Sequence, residues 1–172
     1  SPVEAQKMKG DDFYLVKSDF QEEYDLAKKL QEEGEVYSAM QIITSIITKE
    51  PTLKAYESRA FLYQEIEIYD KALEDYRTCL EIDSLHISAY KYIGLIYENN
   101  EEYNAAIDVY NDYLEIEPNE PLITLRISDL YSTLNEYNKS LEYLNNYLSI
   151  QPDDVEANIK KALFHAFVFD DL

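Results

Sequence analysis

Side chains able to carry out chemistry are few and widely spaced in this sequence. It contains two histidines, His86 and His165, and a single cysteine, Cys79. A zinc site needs several nitrogen or sulfur ligands at close spacing, and neither a C-x-x-C nor an H-E-x-x-H pattern occurs. Carboxylate pairs such as Asp153–Asp154 fall at predicted helix ends, where they are expected to cap helices. The sequence therefore predicts no catalytic residue, no metal site and no cofactor.

The sequence is strongly acidic, with 35 Asp and Glu residues against 15 Lys and Arg residues and a formal net charge of -20. Nucleic acids and anionic membranes attract clustered basic residues, so neither is predicted as a partner. No apolar run approaches the ~20 residues of a membrane-spanning helix, and no signal peptide is visible. Together with the single cysteine, these features predict a cytoplasmic protein.

The sequence repeats itself at intervals of 34 residues, with one interval of 33. Tyr97 recurs as Tyr63 and Tyr131, and Pro118 recurs as Pro152. Each interval holds two segments with apolar residues at three- and four-residue spacing, which is typical of amphipathic helices. The repeat predicts four two-helix units and the start of a fifth. The units are 20–52, 53–86, 87–120 and 121–154, and the fifth begins at residue 155.

Small residues occupy one fixed position in the first helix of each unit and another in the second helix. On the first helices they are Ala27, Ala60, Gly94, Ser128 and Ala162, and on the second helices Ala39, Ala72, Ala106 and Ser140. Small side chains let two helices approach closely, while the recurring tyrosines fill the space around them. Cys79 shares such a packing position with Ile46, Tyr113 and Tyr147, so it is predicted to be a buried, unreactive thiol.

These recurring small, tyrosine and proline positions give the sequence its family likeness. Over residues 20–165 it resembles the tetratricopeptide repeat. The resemblance implies an all-α fold, a right-handed superhelical solenoid of helix-turn-helix hairpins. The sequence departs from the family pattern where a tryptophan is common, and has Tyr56, Tyr90 and Thr124 instead.

The two ends do not follow the repeat. Residues 1–19 are predicted to form an N-terminal extension, either helical or mobile, and residues 166–172 the truncated end of the last helix. The fifth unit has no second helix, so Phe164, Phe167 or Phe169 is expected to be partly exposed. Such rings would mediate self-association through the C-terminal helix or contact whatever follows in a longer protein.

The resemblance implies that the first helices line a concave groove that binds a peptide or helix of another protein. Basic and apolar residues collect at the corresponding positions, although ordinary surface variation would also allow them. The candidate groove residues are Tyr24, Lys28, Lys54, Phe61, Lys91, Tyr92, Leu95, Leu122, Leu125, Arg126 and Lys160. The apolar members, Leu95 and Leu125 above all, are expected to supply more of the affinity than the basic members.

The resemblance favours a non-catalytic adaptor or scaffold that binds another protein. The alternative is a regulatory or substrate-recruiting domain of a larger enzyme or co-chaperone. Some members of the family hold the acidic C-termini of chaperones in a clamp of Lys, Asn and Arg residues. Here Lys91 matches the first clamp position, but Leu95 and Arg126 stand where the clamp has Asn. A chaperone clamp is therefore disfavoured.

Overall fold

The computed structural model describes residues 20–166, and residues 1–19 and 167–172 lie outside the description. Within 20–166 the chain forms nine α-helices and no strand. The helices are α1 (Gln21–Glu32), α2 (Val36–Lys49), α3 (Leu53–Glu65), α4 (Tyr69–Ile82), α5 (Ile87–Asn99), α6 (Tyr103–Ile116), α7 (Pro121–Thr133), α8 (Tyr137–Ile150) and α9 (Val155–Phe164). The predicted all-α solenoid is confirmed.

Successive helices pair as hairpins, and each hairpin stacks on the next. α1 packs against α2, α3 against α4, α5 against α6 and α7 against α8, while the second helix of each pair also packs against the following first helix. The buried side chains form four clusters that follow one another along the chain. Each unit therefore buries its apolar faces against its neighbours, as in other repeat proteins.

The small residues lie where the two helices of a hairpin approach most closely. Ala60 and Ala72 are fully buried between α3 and α4. In the fourth hairpin the Ser128 hydroxyl donates to the Ser140 carbonyl at 2.8 Å, and the Ser140 hydroxyl donates to the Ser128 carbonyl at 2.7 Å. These paired bonds satisfy two buried hydroxyl groups, so serine can replace alanine there without an unpaired polar atom.

Each hairpin turns through the same backbone motif. In each hairpin one residue of the turn has a positive φ. These residues are Gly34 (83°), Glu67 (59°), Glu101 (60°) and Asn135 (60°). The N–H of this residue and the next N–H donate back to carbonyls in the last turn of the first helix, for example from Gly34 to Gln31 at 3.0 Å. This pattern is the Schellman motif, which caps the carbonyl groups that a helix end leaves unpaired.

The C-terminal end differs in one respect from the expectation. Phe164 is only 8% exposed and packs beside Tyr137, with the ring centroids 6.0 Å apart. It is therefore not an exposed ring. Phe167 and Phe169 lie outside the described residues, as does the predicted extension 1–19.

Candidate functional site on the first-helix face

The first helices of successive units lie side by side. Side-chain contacts between each first helix and the next show this arrangement. Lys54 of α3 places Nζ 4.0 Å from the ring centroid of Tyr24 in α1. Phe61 of α3 meets Tyr92 of α5 edge-on, with ring centroids 4.5 Å apart. Further along, Arg126 of α7 is bonded to α5 and Lys160 of α9 to α7. We call the surface formed by α1, α3, α5, α7 and α9 the first-helix face.

A pocket of about 610 Å³ opens on this face between α1 and α3. Its apolar base is formed by Ala27, Ile43 and Leu62, all of which are buried. Phe61 and Tyr24, both half-buried, stand at its sides. Binding pockets in proteins are typically concave, apolar at the base and lined by a few polar groups, as this pocket is.

Polar contacts bridge the two helices at both ends of the pocket. At the start of the helices, the Lys54 ammonium lies over the Tyr24 ring, a cation–π arrangement. At their ends, Gln31 donates from Nε2 to the Glu65 carboxylate at 2.6 Å. Asp25, Lys28, Lys54 and Glu65 are the charged residues of the lining, two acidic and two basic. The pocket is thus locally balanced in charge within a chain of net charge -20.

A small residue explains why the pocket lies between α1 and α3. Ser58 of α3 occupies the repeat position held by Tyr92 in α5, Arg126 in α7 and Lys160 in α9. These larger side chains lie between their own helix and the preceding first helix, where they meet Phe61, Glu98 and Asp129. The Ser58 hydroxyl instead bonds to the carbonyl of its own helix at Lys54, 2.7 Å away, and leaves the space open.

The structure brings four of the eleven predicted groove residues into this pocket. They are Tyr24, Lys28, Lys54 and Phe61. The other seven lie further along the first-helix face, on α5, α7 and α9, and are Lys91, Tyr92, Leu95, Leu122, Leu125, Arg126 and Lys160.

Several of these seven residues already have structural contacts. Tyr92 stacks on Tyr76 with the ring centroids 5.6 Å apart, and Leu125 packs against the core cluster that includes Leu144. Lys91, Leu95 and Leu122 are half-buried or exposed on α5 and α7.

The basic residues of the face are mostly paired with carboxylates. Arg126 donates to Glu98 at 3.0 Å, and Lys160 bonds to Asp129. Lys28 lies 3.9 Å from Glu32, one turn along α1. These pairs partly neutralise the positive charge of the basic residues on the first-helix face.

Sequence reasoning did not select the amide groups in the pocket. Gln31 and Gln64 occupy the same position in successive units, 33 residues apart, and both line the pocket. Gln64 Oε1 accepts a hydrogen bond from Tyr76 Oη at 3.1 Å, which fixes the orientation of its amide. The recurrence of glutamine at this spacing was visible in the sequence and could have identified the pair.

The residues with chemical reactivity are engaged in packing or in structural bonds. Cys79 is fully buried, and burial raises the pKa of its thiol to about 12, so it is protonated at neutral pH. His86 Nε2 lies 2.8 Å from Glu57 Oε1 and ties the start of α5 to α3. Across residues 20–166 no group of three His, Cys, Asp or Glu side chains is arranged to hold a metal. None of the helices in this range is long and apolar enough to cross a membrane.

The stacked hairpins and the face made by their first helices define a helical-repeat scaffold for protein–protein interaction. A family model described as "Tetratricopeptide repeat" matches residues 53–84, 89–120 and 125–154, more than half of the chain. The chain belongs to the tetratricopeptide repeat family.

Solved structures show the same fold at low sequence identity. A crystal structure of MamA is 19% identical with a TM-score of 0.71, over 83% of this chain and 84% of that chain. MamA 41-end from Desulfovibrio magneticus RS-1 is 15% identical with a TM-score of 0.68, over 80% and 78%. A tetratricopeptide repeat protein from Parabacteroides merdae ATCC 43184 is 24% identical with a TM-score of 0.69, over 86% and 59%. A search of curated proteins finds no match.

Proposed function

We propose that this chain is a non-catalytic adaptor that binds a peptide or helix of a partner protein along the first-helix face. The pocket between α1 and α3 is the anchor point for one large apolar side chain of that partner. The observation that carries the proposal is the open pocket, with its buried base of Ala27, Ile43 and Leu62.

Apolar burial in the pocket supplies most of the binding free energy in this proposal. A large side chain that buries about 100 Å² of apolar surface contributes roughly 2.5 kcal/mol before the costs of association. Exposed ion pairs contribute only about 0–1 kcal/mol each, so Lys28 and Lys54 set orientation more than affinity. Gln31 and Gln64 are placed to hydrogen-bond the partner's backbone beside the anchor.

In this proposal the residues at the sides of the pocket, and not Leu95 and Leu125, contribute most to binding. Leu125 packs against the core cluster of α8 and α9, so its truncation would reduce stability as well as binding. Phe61 and Tyr24 stand at the sides of the pocket, so their truncation should weaken binding most, with some loss of stability because Tyr24 packs against the core cluster that includes Ile43 and Phe61 packs against Tyr76. Lys91, which lies beyond the pocket on α5, should matter less.

The test is a pocket-filling variant. A peptide is selected against the chain from a random library displayed on phage, and its binding is measured by isothermal titration calorimetry. Ser58→Tyr places in α3 the side chain that α5 carries at residue 92, and should weaken binding by at least about 10-fold. The matched control is Ser149→Tyr on the exposed side of α8, which should bind like the parent.

The opposite pattern would refute the proposal. Selected peptides that bind Ser58→Tyr as tightly as the parent, but lose affinity on substitution of the second helices, would place recognition on the other face of the array. The circular dichroism spectrum of each variant is compared with that of the parent, so that weaker peptide binding is not caused by unfolding of the variant.

A further inference from the structure

The pocket between α1 and α3 has a counterpart between α3 and α5, and there an aromatic ring fills the space. The ring belongs to Tyr92, which occupies the repeat position of Ser58. Tyr92 meets Phe61 edge-on, with ring centroids 4.5 Å apart, and stacks on Tyr76 with ring centroids 5.6 Å apart. The same junction one unit earlier carries only the short Ser58 side chain, so an aromatic ring could enter the pocket from elsewhere.

The lining of the pocket suits an aromatic side chain. The repeat positions of Phe61 and Tyr76 are held one unit earlier by Lys28 and Ile43, and both of these line the pocket. Ile43 is buried and offers an apolar base, while the Tyr24 and Phe61 rings at the sides offer edge-to-face contacts. The Lys28 side chain is 76% exposed, so its ammonium group can lie over a bound ring.

The chain carries aromatic residues a short distance before α1. Residues 13–16 read Phe-Tyr-Leu-Val, an apolar run that does not belong to the repeat. The described chain begins at Phe20, and the next residue, Gln21, already lines the pocket. Tyr14 lies six positions before Phe20, and six extended residues span up to ~20–22 Å. Lys28 lies only ~12 Å from Phe20 along the axis of α1, so the segment is long enough to reach the pocket.

We propose that residues 13–16 of the same chain occupy this pocket, with an aromatic ring of Phe13 or Tyr14 held between Tyr24 and Phe61. The segment then runs back along α1, in the direction opposite to the helix. This inference rests on the proposed function, because it uses the same pocket as a peptide-binding site. It adds that the pocket has a ligand within its own chain, which a partner peptide must displace.

The order of charges around residues 13–16 suits this course. Asp12 precedes the apolar run and Lys17 follows it, whereas in α1 Asp25 precedes Lys28. Both of these α1 residues line the pocket. A segment antiparallel to α1 brings Lys17 towards Asp25. It also brings Asp12 towards Lys28, so opposite charges meet at both ends of the contact. Such exposed pairs set the direction of the segment more than its affinity.

The covalent link makes even a weak contact effective. A short linker gives a tethered ligand an effective concentration on the order of 1 mM. A segment with an intrinsic dissociation constant of about 0.1 mM would then fill the pocket in roughly nine molecules of ten. Because only the remaining tenth is open to a partner, the apparent affinity for a partner peptide falls about 10-fold.

Tryptophan fluorescence tests the contact in the absence of any peptide, because the chain contains no tryptophan. Tyr14→Trp in the full chain should emit at shorter wavelength, and be quenched less by acrylamide, than Ala5→Trp, the control in the same segment. Adding Ser58→Tyr fills the pocket and should move the emission of Tyr14→Trp to longer wavelength. Adding Ser149→Tyr, on the exposed side of α8, should leave the emission unchanged.

Peptide binding tests the competition between the segment and a partner. Phe13→Ser combined with Tyr14→Ser should strengthen binding of the phage-selected peptide about 10-fold, measured by isothermal titration calorimetry. Val3→Ser combined with Met8→Ser is the matched control, because it removes apolar side chains outside residues 13–16, and it should bind like the parent. Equal affinity of the Phe13→Ser, Tyr14→Ser variant and the parent would overturn the proposed competition.

The emission of Tyr14→Trp decides whether the segment occupies the pocket. An emission equal to that of Ala5→Trp, or one that Ser58→Tyr does not change, would overturn the proposal. A shift to shorter wavelength that grows with protein concentration would also overturn it, in favour of the same segment from a second copy of the chain. If Ser58→Tyr weakens peptide binding but leaves this emission unchanged, the pocket binds a partner and not its own segment. If Ser58→Tyr changes the emission but not peptide binding, the segment occupies the pocket and the proposed function fails.

Discussion

The ring of Tyr110 in α6 lies so close to Gly94 in α5 that residue 94 has no room for a β-carbon. A β-carbon at residue 94 would stand 2.3 Å from Cε1 of Tyr110. The equivalent residues of the preceding hairpin are Ala60 and Tyr76, and there the Tyr76 ring stacks on Tyr92. In the third hairpin the absence of a β-carbon at Gly94 therefore leaves space for the Tyr110 ring, whereas in the second hairpin the equivalent ring of Tyr76 packs against Tyr92.

Gly94→Ala should lower the free energy of unfolding by roughly 1–3 kcal/mol, the usual cost of overpacking a core. Helix propensity alone predicts the opposite, because alanine favours a helix over glycine by about 1 kcal/mol. The measurement is the urea midpoint followed by circular dichroism. Combining Gly94→Ala with Tyr110→Leu should remove most of the clash, and a higher midpoint for Gly94→Ala alone would contradict the close packing.

The two buried tyrosines at this repeat position should respond differently to loss of their hydroxyl groups. Tyr76 donates to Gln64 at 3.1 Å, whereas the buried hydroxyl of Tyr110 lies near the Glu98 carboxylate but makes no hydrogen bond of good geometry within residues 20–166. Burial first, and then the nearby Glu98 carboxylate, raise the pKa of Tyr110 far above its usual range. Its phenol therefore stays neutral.

Tyr76→Phe should lower the free energy of unfolding by roughly 0.5–1.5 kcal/mol, because Gln64 loses a hydrogen bond. Tyr110→Phe should be neutral or stabilising, because it removes a buried polar atom that makes no hydrogen bond of good geometry. Both variants are compared by urea unfolding under the same conditions. The reverse order of stabilities would show that the Tyr110 hydroxyl is bonded in solution.

The repeat made the hairpins predictable, because its period places the same residue types at the same positions in every unit. The small residues that recur at the positions of Ala60 and Ala72 predicted the close approach of α3 and α4, and both alanines are buried between these helices. Contacts between units were not predictable in the same way. Arg126 stood out in the sequence as a groove cation, yet its neighbour Glu98 lies 28 residues away and pairs with it only through the stacking of α5 and α7.

The pocket was only partly predictable for a related reason. Its position depends on the size of one side chain, Ser58, relative to the larger residues that occupy the same position in later units. Four of its lining residues were selected because they share helix positions with a known type of groove. Gln31 and Gln64 were not predicted because an amide side chain is neither charged nor hydrophobic, and so adds nothing to a charge pattern or an apolar pattern.

The turn residues offer a stabilising substitution. Glu101 adopts a φ of 60°, a left-handed conformation that costs an L-residue roughly 1–2 kcal/mol and costs glycine almost nothing. Glu101→Gly should raise the free energy of unfolding by roughly 0.5–1 kcal/mol, since the added entropy of the unfolded glycine offsets part of the gain. Glu142→Gly, in the middle of α8, is the control and should lower it by about 1 kcal/mol. Equal destabilisation by both substitutions would contradict the left-handed turn.

The cap of α9 should make this helix sensitive to acid. Asp154 Oδ1 accepts a hydrogen bond from the Ala157 N–H at 3.0 Å, and Oδ2 accepts one from the Tyr147 hydroxyl. The backbone bond first, and then the Tyr147 bond, lower the pKa of Asp154. Because the folded pKa lies below the unfolded value of ~3.9, the cap contributes fully above that pH and is lost as the pH falls through the folded pKa.

Hydrogen exchange of the α9 amide groups between pH 6 and pH 3, corrected for the intrinsic exchange rate, measures this effect. The parent should lose protection in α9 as Asp154 becomes protonated, while α5 at the centre of the array stays protected. Asp154→Asn is the matched variant, because asparagine still accepts the bond from the Ala157 N–H but does not titrate. The variant should therefore show a smaller change in α9 protection over this range. If parent and variant lose protection in α9 at the same pH and to the same extent, the Asp154 carboxylate does not control the stability of this helix.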